Sequence, residues 1–274
     1  MLKECFSLPP SSKQPLANQL ELTENNVAVI QGKVVIVTGG SSGMGKSHCQ
    51  ILAAGGAKVI VGDIADEPGR AVADAIGAHA RFVHLDVTDG ASWSNAVAET
   101  EEAFGPVTAL VNNAGIGYPV PFDELTEQEF RKFVDINQIG VFLGMQAAVP
   151  SMRRRTAGGA AIINISSSAG LRAAPNALAY VASKFAVTGM TKAAALDLGP
   201  EGIRVNSIHP GVIGGTGMAA ANEEYLKTFL PKIPLRQLGQ LRHVSGLVEY
   251  LVSDDSGYCT GGEFVVDGGL ICYH

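Results

Sequence analysis

Charged residues are scarce in this sequence. Only 17% of its 274 residues are charged, against 46% hydrophobic, a balance that rules out a disordered chain and describes a compact protein with a large core. Basic residues are in the minority. The net charge of −6 argues against partners such as nucleic acid or an anionic membrane surface. The triplet Arg153 to Arg155 is the one basic cluster, and it falls where a helix is expected to end, a place that favours positive charge. Cysteines number four (Cys5, Cys49, Cys259 and Cys272) and lack metal-ligand spacing, so no metal site is expected. A reduced, cytoplasmic setting is the simplest expectation. No apolar run reaches 18 residues, which leaves no candidate transmembrane helix. The start, "MLKECFSLPPSSKQPLANQLELTENN", has neither the apolar stretch of a signal peptide nor the arginine content of a transit peptide. Residues 1–30 are expected to form a flexible extension, available to pack on a neighbouring subunit.

From Gly32 onward short β-branched runs alternate with helical stretches. "KVVIVTG" (33–39), "AKVIVGD" (57–63), "ARFVHLD" (80–86), "VTALVNN" (107–113), "AAIINIS" (160–166), "IRVNSIH" (203–209) and "GEFVVDG" (262–268) read as strands. Several are unbroken apolar runs, as strands buried on both faces require. The segments between them have helical period, and two close with glycine. This predicts one α/β domain over 31–274, a doubly wound Rossmann-type fold with a seven-stranded parallel sheet flanked by helices.

The first strand runs into "TGGSSGMGKS", with Gly39, Gly43 and Gly45 spaced G-x-x-x-G-x-G. Such glycines permit a tight turn and close approach of a pyrophosphate, which the N–H groups of the next helix can then bind. Asp63 ends the second strand 24 residues after Gly39. A carboxylate there suits the ribose hydroxyls of NAD and would repel the 2′-phosphate of NADP. Ser41 and Ser42 supply no cation to offset that. The competing reading makes Asp63 a cap for "ADEPGR". Asp86, ending the third strand, would meet the adenine amino group or cap the next helix.

The stretch "SSSAGLRAAPNALAYVASKFAV" places Tyr180 and Lys184 four residues apart, on one helical face. A lysine on a mostly buried face is expensive unless compensated. Taken alone, the pair fits a core tyrosine beside a snorkelling lysine as well as it fits a site.

Seven motifs, in order, decide between these readings: "TGGSSGMG", "NNAG" (112–115), Asn137 in "DINQIGVFLG", "ISSS" (165–168), "YVASK" (180–184), "HPG" (209–211) and "VDGG" (266–269). The chain resembles the NAD(P)-dependent short-chain dehydrogenases/reductases over roughly residues 30–270. Within them it is most similar to bacterial hydroxysteroid dehydrogenases of the 3α/20β type, through "GDIADE", "VHLDVT", "VDIN", "GVFLGMQA" and "VNSIHPG". The resemblance implies a catalytic set of Asn137, Ser167, Tyr180 and Lys184, with Ser166 and Ser168 flanking the serine. Tyr180 would be the general acid/base. Lys184 would lower its pKa and bond the nicotinamide ribose, Ser167 would orient the substrate oxygen, and Asn137 would hold a water linking Lys184 to solvent.

The cofactor set implied by the resemblance runs through Gly39, Ser41, Ser42, Gly43, Met44 and Gly45, then Asp63, Ile64, Asp86 and Val87. Asn113, Ala114 and Gly115 would line the ribose, while Asn112 holds neighbouring strands together. Pro210, Gly211, Val212, Ile213 and Thr216 would complete it. Thr216 stands one residue beyond the family's usual place for a threonine on the nicotinamide carboxamide, so Val212 or Ile213 is the alternative through its backbone. A substrate lid over about 212–240 would carry a short helix. A homotetramer is implied too, through the helices around 126–153 and 176–198 and through 240–268.

The expected function is NAD-dependent interconversion of a hydrophobic secondary alcohol, plausibly a hydroxysteroid, and its ketone. An NADPH-dependent 3-oxoacyl-thioester (acyl-carrier-protein) reductase is the alternative. A non-catalytic dinucleotide sensor is disfavoured, because a sensor needs no proton donor.

Overall fold

In the computed structural model of the protein, residues 30–155, 158–216 and 228–272 are described. The expectations for the N-terminal extension and for the middle of the 212–240 segment fall outside them. The seven apolar runs become strands β1 (Val34–Thr38), β2 (Lys58–Asp63), β3 (Ala80–His84), β4 (Ala109–Asn112), β5 (Ala160–Ile165), β6 (Ile203–Pro210) and β7 (Glu263–Val266). All pair in parallel, in the order β3-β2-β1-β4-β5-β6-β7.

The unbroken apolar runs reflect two cores, one on each face of the sheet. Val35 and Val37 of β1 join the core beneath α1 (Gly43–Ala54), α2 (Asp66–Ile76) and α7 (Leu241–Val252). Ile36 between them joins the core beneath α3 (Gly90–Phe104), α5 (Gly140–Met152) and α6 (Leu178–Leu198). Val111 against Leu110 in β4 and Ile163 against Ile162 in β5 divide the same way. Alternate side chains point to opposite faces, so a strand covered on both sides must be apolar at every position. Each such side chain contributes about 1.5–3 kcal/mol of burial, offset by chain entropy. The polar exceptions are paired. Asn112 Nδ2 donates to Asn164 Oδ1 at 2.9 Å, and Asn164 Nδ2 donates to Thr191 Oγ1 at 2.9 Å. This ties β4, β5 and α6, the bridging role expected of Asn112.

The strand order reverses between β1 and β4, and in open α/β sheets ligands bind at the carboxyl ends beside such a switch point. Four segments therefore converge there: the glycine loop after β1, Asn113 after β4, the serines after β5 and Gly211 after β6. One element has no sequence signal. α4 (Glu127–Val134) runs into α5 through a π-helical turn, Asp135–Ile139, that carries Asn137. π-turns inside α-helices frequently mark functional sites.

Candidate active site

The glycine loop ends in a helix whose first N–H groups have been left open. Ser42 is the N-cap of α1, yet its side chain makes no capping bond, and the first turn holds no acid. In contrast, Asp89 accepts from Ala91 and Ser92 N–H to cap α3, and Thr126 accepts from Glu129 N–H to cap α4. An uncapped helix start is suited to an anion. Gly43 has φ +51°, a region that penalises residues with a Cβ. A Cβ at Gly45 would run into the Gly39 carbonyl and stand 2.7 Å from Asn113 Nδ2. Gly45 thus lies behind the loop, absent from the cleft lining that Gly39, Ser41, Ser42, Gly43 and Met44 share. The Asn113 amide closes this node, donating from Nδ2 to the Thr38 carbonyl at 2.9 Å.

Asp63 sits beside the loop. Its carboxylate accepts Ser41 N–H at 3.0 Å and Ala65 N–H at 2.9 Å, one bond to each oxygen. Both readings of Asp63 therefore have a basis: it braces the chain locally, and each oxygen keeps a lone pair for a ribose hydroxyl. Ile64, Asp86 and Val87 line the cleft next to it. β3 stops at His84, two residues before the expected end. The cause is local, because Asp86 Oδ1 turns back to accept from Thr88 N–H at 2.9 Å and Thr88 Oγ1 at 2.8 Å. Asp89, not Asp86, is the helix cap.

At the other end of the cleft, α6 brings Tyr180 and Lys184 onto one face under the end of β5. Ser167 follows β5 and lines the cleft with Tyr180. Of its neighbours, Ser166 is turned inward to donate to the Lys184 carbonyl at 3.0 Å, and Ser168 opens a 3-10 turn, Ser168–Gly170. All three serines line the cleft; Ser167 is the one that acts on the Tyr180 phenol. Lys184 is 4% exposed, and its Nζ donates to the Ile165 carbonyl at 2.9 Å. Asn137, fully buried, clamps the Ile116 main chain: Nδ2 donates to the carbonyl at 2.9 Å, and Oδ1 accepts the N–H at 2.8 Å. Nδ2 also reaches Ser183 Oγ at 3.1 Å. Its amide is thus committed to protein groups, a structural role beside the water-holding one expected. A Cβ on Gly115 would stand 3.0 Å from Asn137 Oδ1 and 3.5 Å from Lys184 Nζ, so these three residues meet at one point.

Loop residues after β6 complete the walls. Pro210, Gly211, Val212, Ile213 and Thr216 all line the cleft. Thr216 Oγ1 donates to the Ile213 carbonyl at 3.1 Å, and its Cα lies 3.7 Å from where a Gly43 Cβ would be. That puts Thr216 beside the glycine loop. The lining residues that carried no sequence signal include Tyr118, Arg172, Leu270 and Ile271. His209 was legible only as part of "HPG". It is buried, with Nδ1 at 2.9 Å from the Ser167 carbonyl and Nε2 at 2.8 Å from Ser207 Oγ, and it pins the backbone of the serine. The cleft measures about 1490 Å³, larger than an ordinary small-molecule site. A dinucleotide fits this set of residues: an open helix start, a glycine loop without side-chain obstruction and an acid beside it.

A family model described as "Enoyl-(Acyl carrier protein) reductase" matches residues 30–271. A 3-alpha-(or 20-beta)-hydroxysteroid dehydrogenase of Mycobacterium tuberculosis is 48% identical over 240 residues, 88% of this chain and 90% of that protein. A trans-4-hydroxycyclohexanecarboxylate dehydrogenase of Sinomonas cyclohexanicum is 45% identical, covering 86% of this chain and 92% of its own. A solved short-chain type dehydrogenase/reductase from Mycobacterium marinum superimposes with a TM-score of 0.84 at 34% identity, over 89% of this chain and 97% of that one. The chain belongs to the short-chain dehydrogenase/reductase family. Members use nicotinamide cofactors, in keeping with the loop and cleft described above.

In this short-chain dehydrogenase/reductase the electrostatics depart from the sequence expectation at one point. Lys184 was expected to lower the Tyr180 pKa. Instead burial raises the phenol above its ordinary value, and only Ser167 opposes the rise. The ammonium is tied to Ile165 and stands 5.8 Å from the Tyr180 ring centre. Burial also pushes Lys184 down to about 8. Desolvation dominates both groups because each lacks an opposite charge.

Burial of Lys184 predicts a pH dependence. An unfolded lysine releases its proton near 10.5 and the folded one near 8, so between these values the unfolded chain binds more protons. Stability then rises with pH across that window. In the cofactor-free protein the wild type should gain up to about 3 kcal/mol on Lys184→Met between pH 8 and 10.5. Urea unfolding of both proteins across this range is the check, and parallel curves would contradict it.

Proposed function

We propose that the protein is an NAD-dependent dehydrogenase interconverting cyclic secondary alcohols and their ketones. The observation that carries the reading is that Ser167 and Tyr180, with Lys184 buried 5.8 Å from the Tyr180 ring centre, line the same cleft as the open start of α1. Two relatives are named for secondary alcohols of ring compounds, a hydroxysteroid and a hydroxycyclohexanecarboxylate, and a secondary alcohol borne by an alicyclic skeleton is what they share. The apolar lining of the cleft, including Phe229, Leu270 and Ile271, suits such a skeleton.

The nicotinamide, when bound, supplies the hydride acceptor in oxidation and the donor in reduction. Ser167 holds the substrate oxygen and stabilises charge developing on it. In oxidation the Tyr180 oxygen takes the hydroxyl proton as the carbinol hydrogen leaves with its electron pair; in reduction Tyr180 returns the proton. The raised phenol suits the acid role as it stands. The base role needs Lys184 and the positive charge of the oxidised cofactor nearby, each favouring phenolate.

Asp63 supports NAD over NADP. A 2′-phosphate would lie against its carboxylate, and positions 40–42 are Gly, Ser and Ser. The nearby sequence cations Lys46 and Arg70 do not line the cleft. Arg70 is engaged with the Phe82 ring, 4.9 Å away, and with Asp66, while Lys46 is exposed on α1. The cleft's own cations, Arg172 and Lys232, belong to the segments that follow Ser167 and form the described part of the lid. NADPH-dependent reduction of a 3-oxoacyl thioester is the second reading; the matching family description shares its acyl-carrier-protein substrate but names reduction of an enoyl group.

A homotetramer belongs to the same proposal. Apolar side chains stand out on both expected interfaces: Phe142 and Phe185, each 45% exposed, and Tyr258 with Val265 on the edge strand β7. Uncovered apolar groups and an open sheet edge favour association.

Tyr180→Phe should lower kcat for a cyclic alcohol by at least about a thousandfold while NAD affinity stays within a few-fold. A variant keeping most of its kcat would remove Tyr180 from the chemistry. Turnover of an acyl thioester in place of any cyclic alcohol would establish the second reading. Light scattering at micromolar concentration should report about four times the chain mass, and a monomer would end the assembly proposal.

A further inference from the structure

Strand β6 carries a buried polar pair where apolar residues would cost less. Ile203 and Val205 belong to the core beneath α6, and Ser207 and His209 continue the same face of the strand. Both are fully buried, and His209 does not line the cleft. Polar groups are tolerated in such a place when they are hydrogen-bonded. The last ladder bond from β5 to β6 runs from Ser166 N–H to the Ile208 carbonyl at 2.8 Å. Pro210, next in that direction on β6, has no N–H to continue the ladder. The imidazole takes over: His209 Nδ1 lies 2.9 Å from the Ser167 carbonyl. That carbonyl also accepts Gly170 N–H at 2.8 Å, within the 3-10 turn Ser168–Gly170. His209 thus ties the turn after β5 to the neighbouring strand.

The proton on the ring is placed by this bond. A carbonyl can only accept, so Nδ1 is the donor whatever the charge of the imidazole. Burial lowers the His209 pKa below its ordinary value, and in the neutral ring Nε2 is left bare. Ser207 Oγ stands 2.8 Å from Nε2. The other acceptor open to that hydroxyl, the Gly262 carbonyl at 3.2 Å, is already served by Ser207 N–H at 3.0 Å. The hydroxyl therefore turns to Nε2, and both ring nitrogens are paired.

We propose that His209 is a positioning residue for the reaction, its Nδ1–H holding the Ser167 main chain so that the serine hydroxyl meets the substrate oxygen beside Tyr180. This role rests on the reading of Ser167 and Tyr180 as the proton site. Ser167 Oγ accepts Ala169 N–H at 3.0 Å, which leaves its own proton for Tyr180 and the substrate. Serine and turn therefore move as one piece. His209 fixes that piece to β6, and Thr188 Oγ1, donating to the Gly170 carbonyl at 3.2 Å, fixes its far end to α6. Misplacing a reacting group by about 1 Å can cost about a hundredfold in rate, so a donor outside the cleft can govern kcat.

Two measurements on the full-length protein test this. Imidazole nitrogen NMR of the cofactor-free wild type at about pH 8 should show His209 with its proton on Nδ1 and Nε2 bare. A proton on Nε2 alone would overturn the proposal even if no variant folds. In steady-state oxidation of cyclohexanol, His209→Leu should lower kcat about thirtyfold while NAD affinity stays within about threefold. His209→Asn, whose amide N–H can take the place of Nδ1–H, should recover kcat to within about fivefold of the wild type. His209→Gln, whose amide reaches the place of Nε2 instead, should stay near the Leu variant. If His209→Leu keeps its kcat, or if Asn is no better than Leu and Gln, His209 is only a packing residue. A wild type that oxidises no secondary alcohol would overturn the proposed function, and with it the part of His209 in it, while the NMR result would still decide the tie to Ser167.

Discussion

The site depends on an ammonium group kept inside the protein without a counter-ion. Lys184 is nearly inaccessible, and its described bond is to a main-chain carbonyl, Ile165, at 2.9 Å. Burying a charge in this way is unfavourable, and its depressed pKa of about 8 measures how far the protein resists it. The rest of the catalytic end is arranged around that group. The carbonyl that holds it ends β5, so the strand leading into Ser167 and the helix carrying Tyr180 are locked in register. Asn137 and Gly115 close the space above it, leaving no room for a side chain at position 115. Ser166 and Thr188 occupy the lysine's own backbone carbonyl. A residue that destabilises the empty protein is retained where a positive charge beside a phenol is useful, a trade between stability and function.

The cofactor end follows a similar principle with partial charges. Two other helices have their first N–H groups satisfied by side chains, while α1, which faces the cleft, does not. What those N–H groups lack locally a pyrophosphate can provide. Behind the loop, Thr38 and Asn113 form a polar pair at the switch point of the sheet. Thr38 Oγ1 accepts the N–H groups of both Asn113 and Ala114 at 2.9 Å, so β1 and β4 are joined just where their crossovers diverge.

The fold was legible in the sequence because burial on both faces leaves a plain mark. Runs such as Val34 to Val37 and Ala160 to Ile165 admit few structures other than buried parallel strands. Ser167, Tyr180 and most of the glycine loop, singled out from an ordered pattern, line one cleft because their spacing is set by strand, turn and helix. What escaped depended on tertiary geometry. The π-turn at Asn137 arises where α4 meets α5 against Ile116, and no local signal foretells it. Helical spacing gives Tyr180 and Lys184 a shared face, but it does not show that in the cofactor-free protein the ammonium is held by Ile165 and desolvation raises the phenol.

The central claim is that an acid-lined adenosine site and a tyrosine–lysine proton site act together on a cyclic alcohol. Steady-state kcat/KM for cyclohexanol oxidation, measured side by side with NAD and NADP, tests it most directly. The account predicts turnover with NAD and a preference of about a hundredfold or more over NADP, the equivalent of a few kcal/mol. A preference for NADP, or no oxidation of a cyclic alcohol with either cofactor, would contradict it.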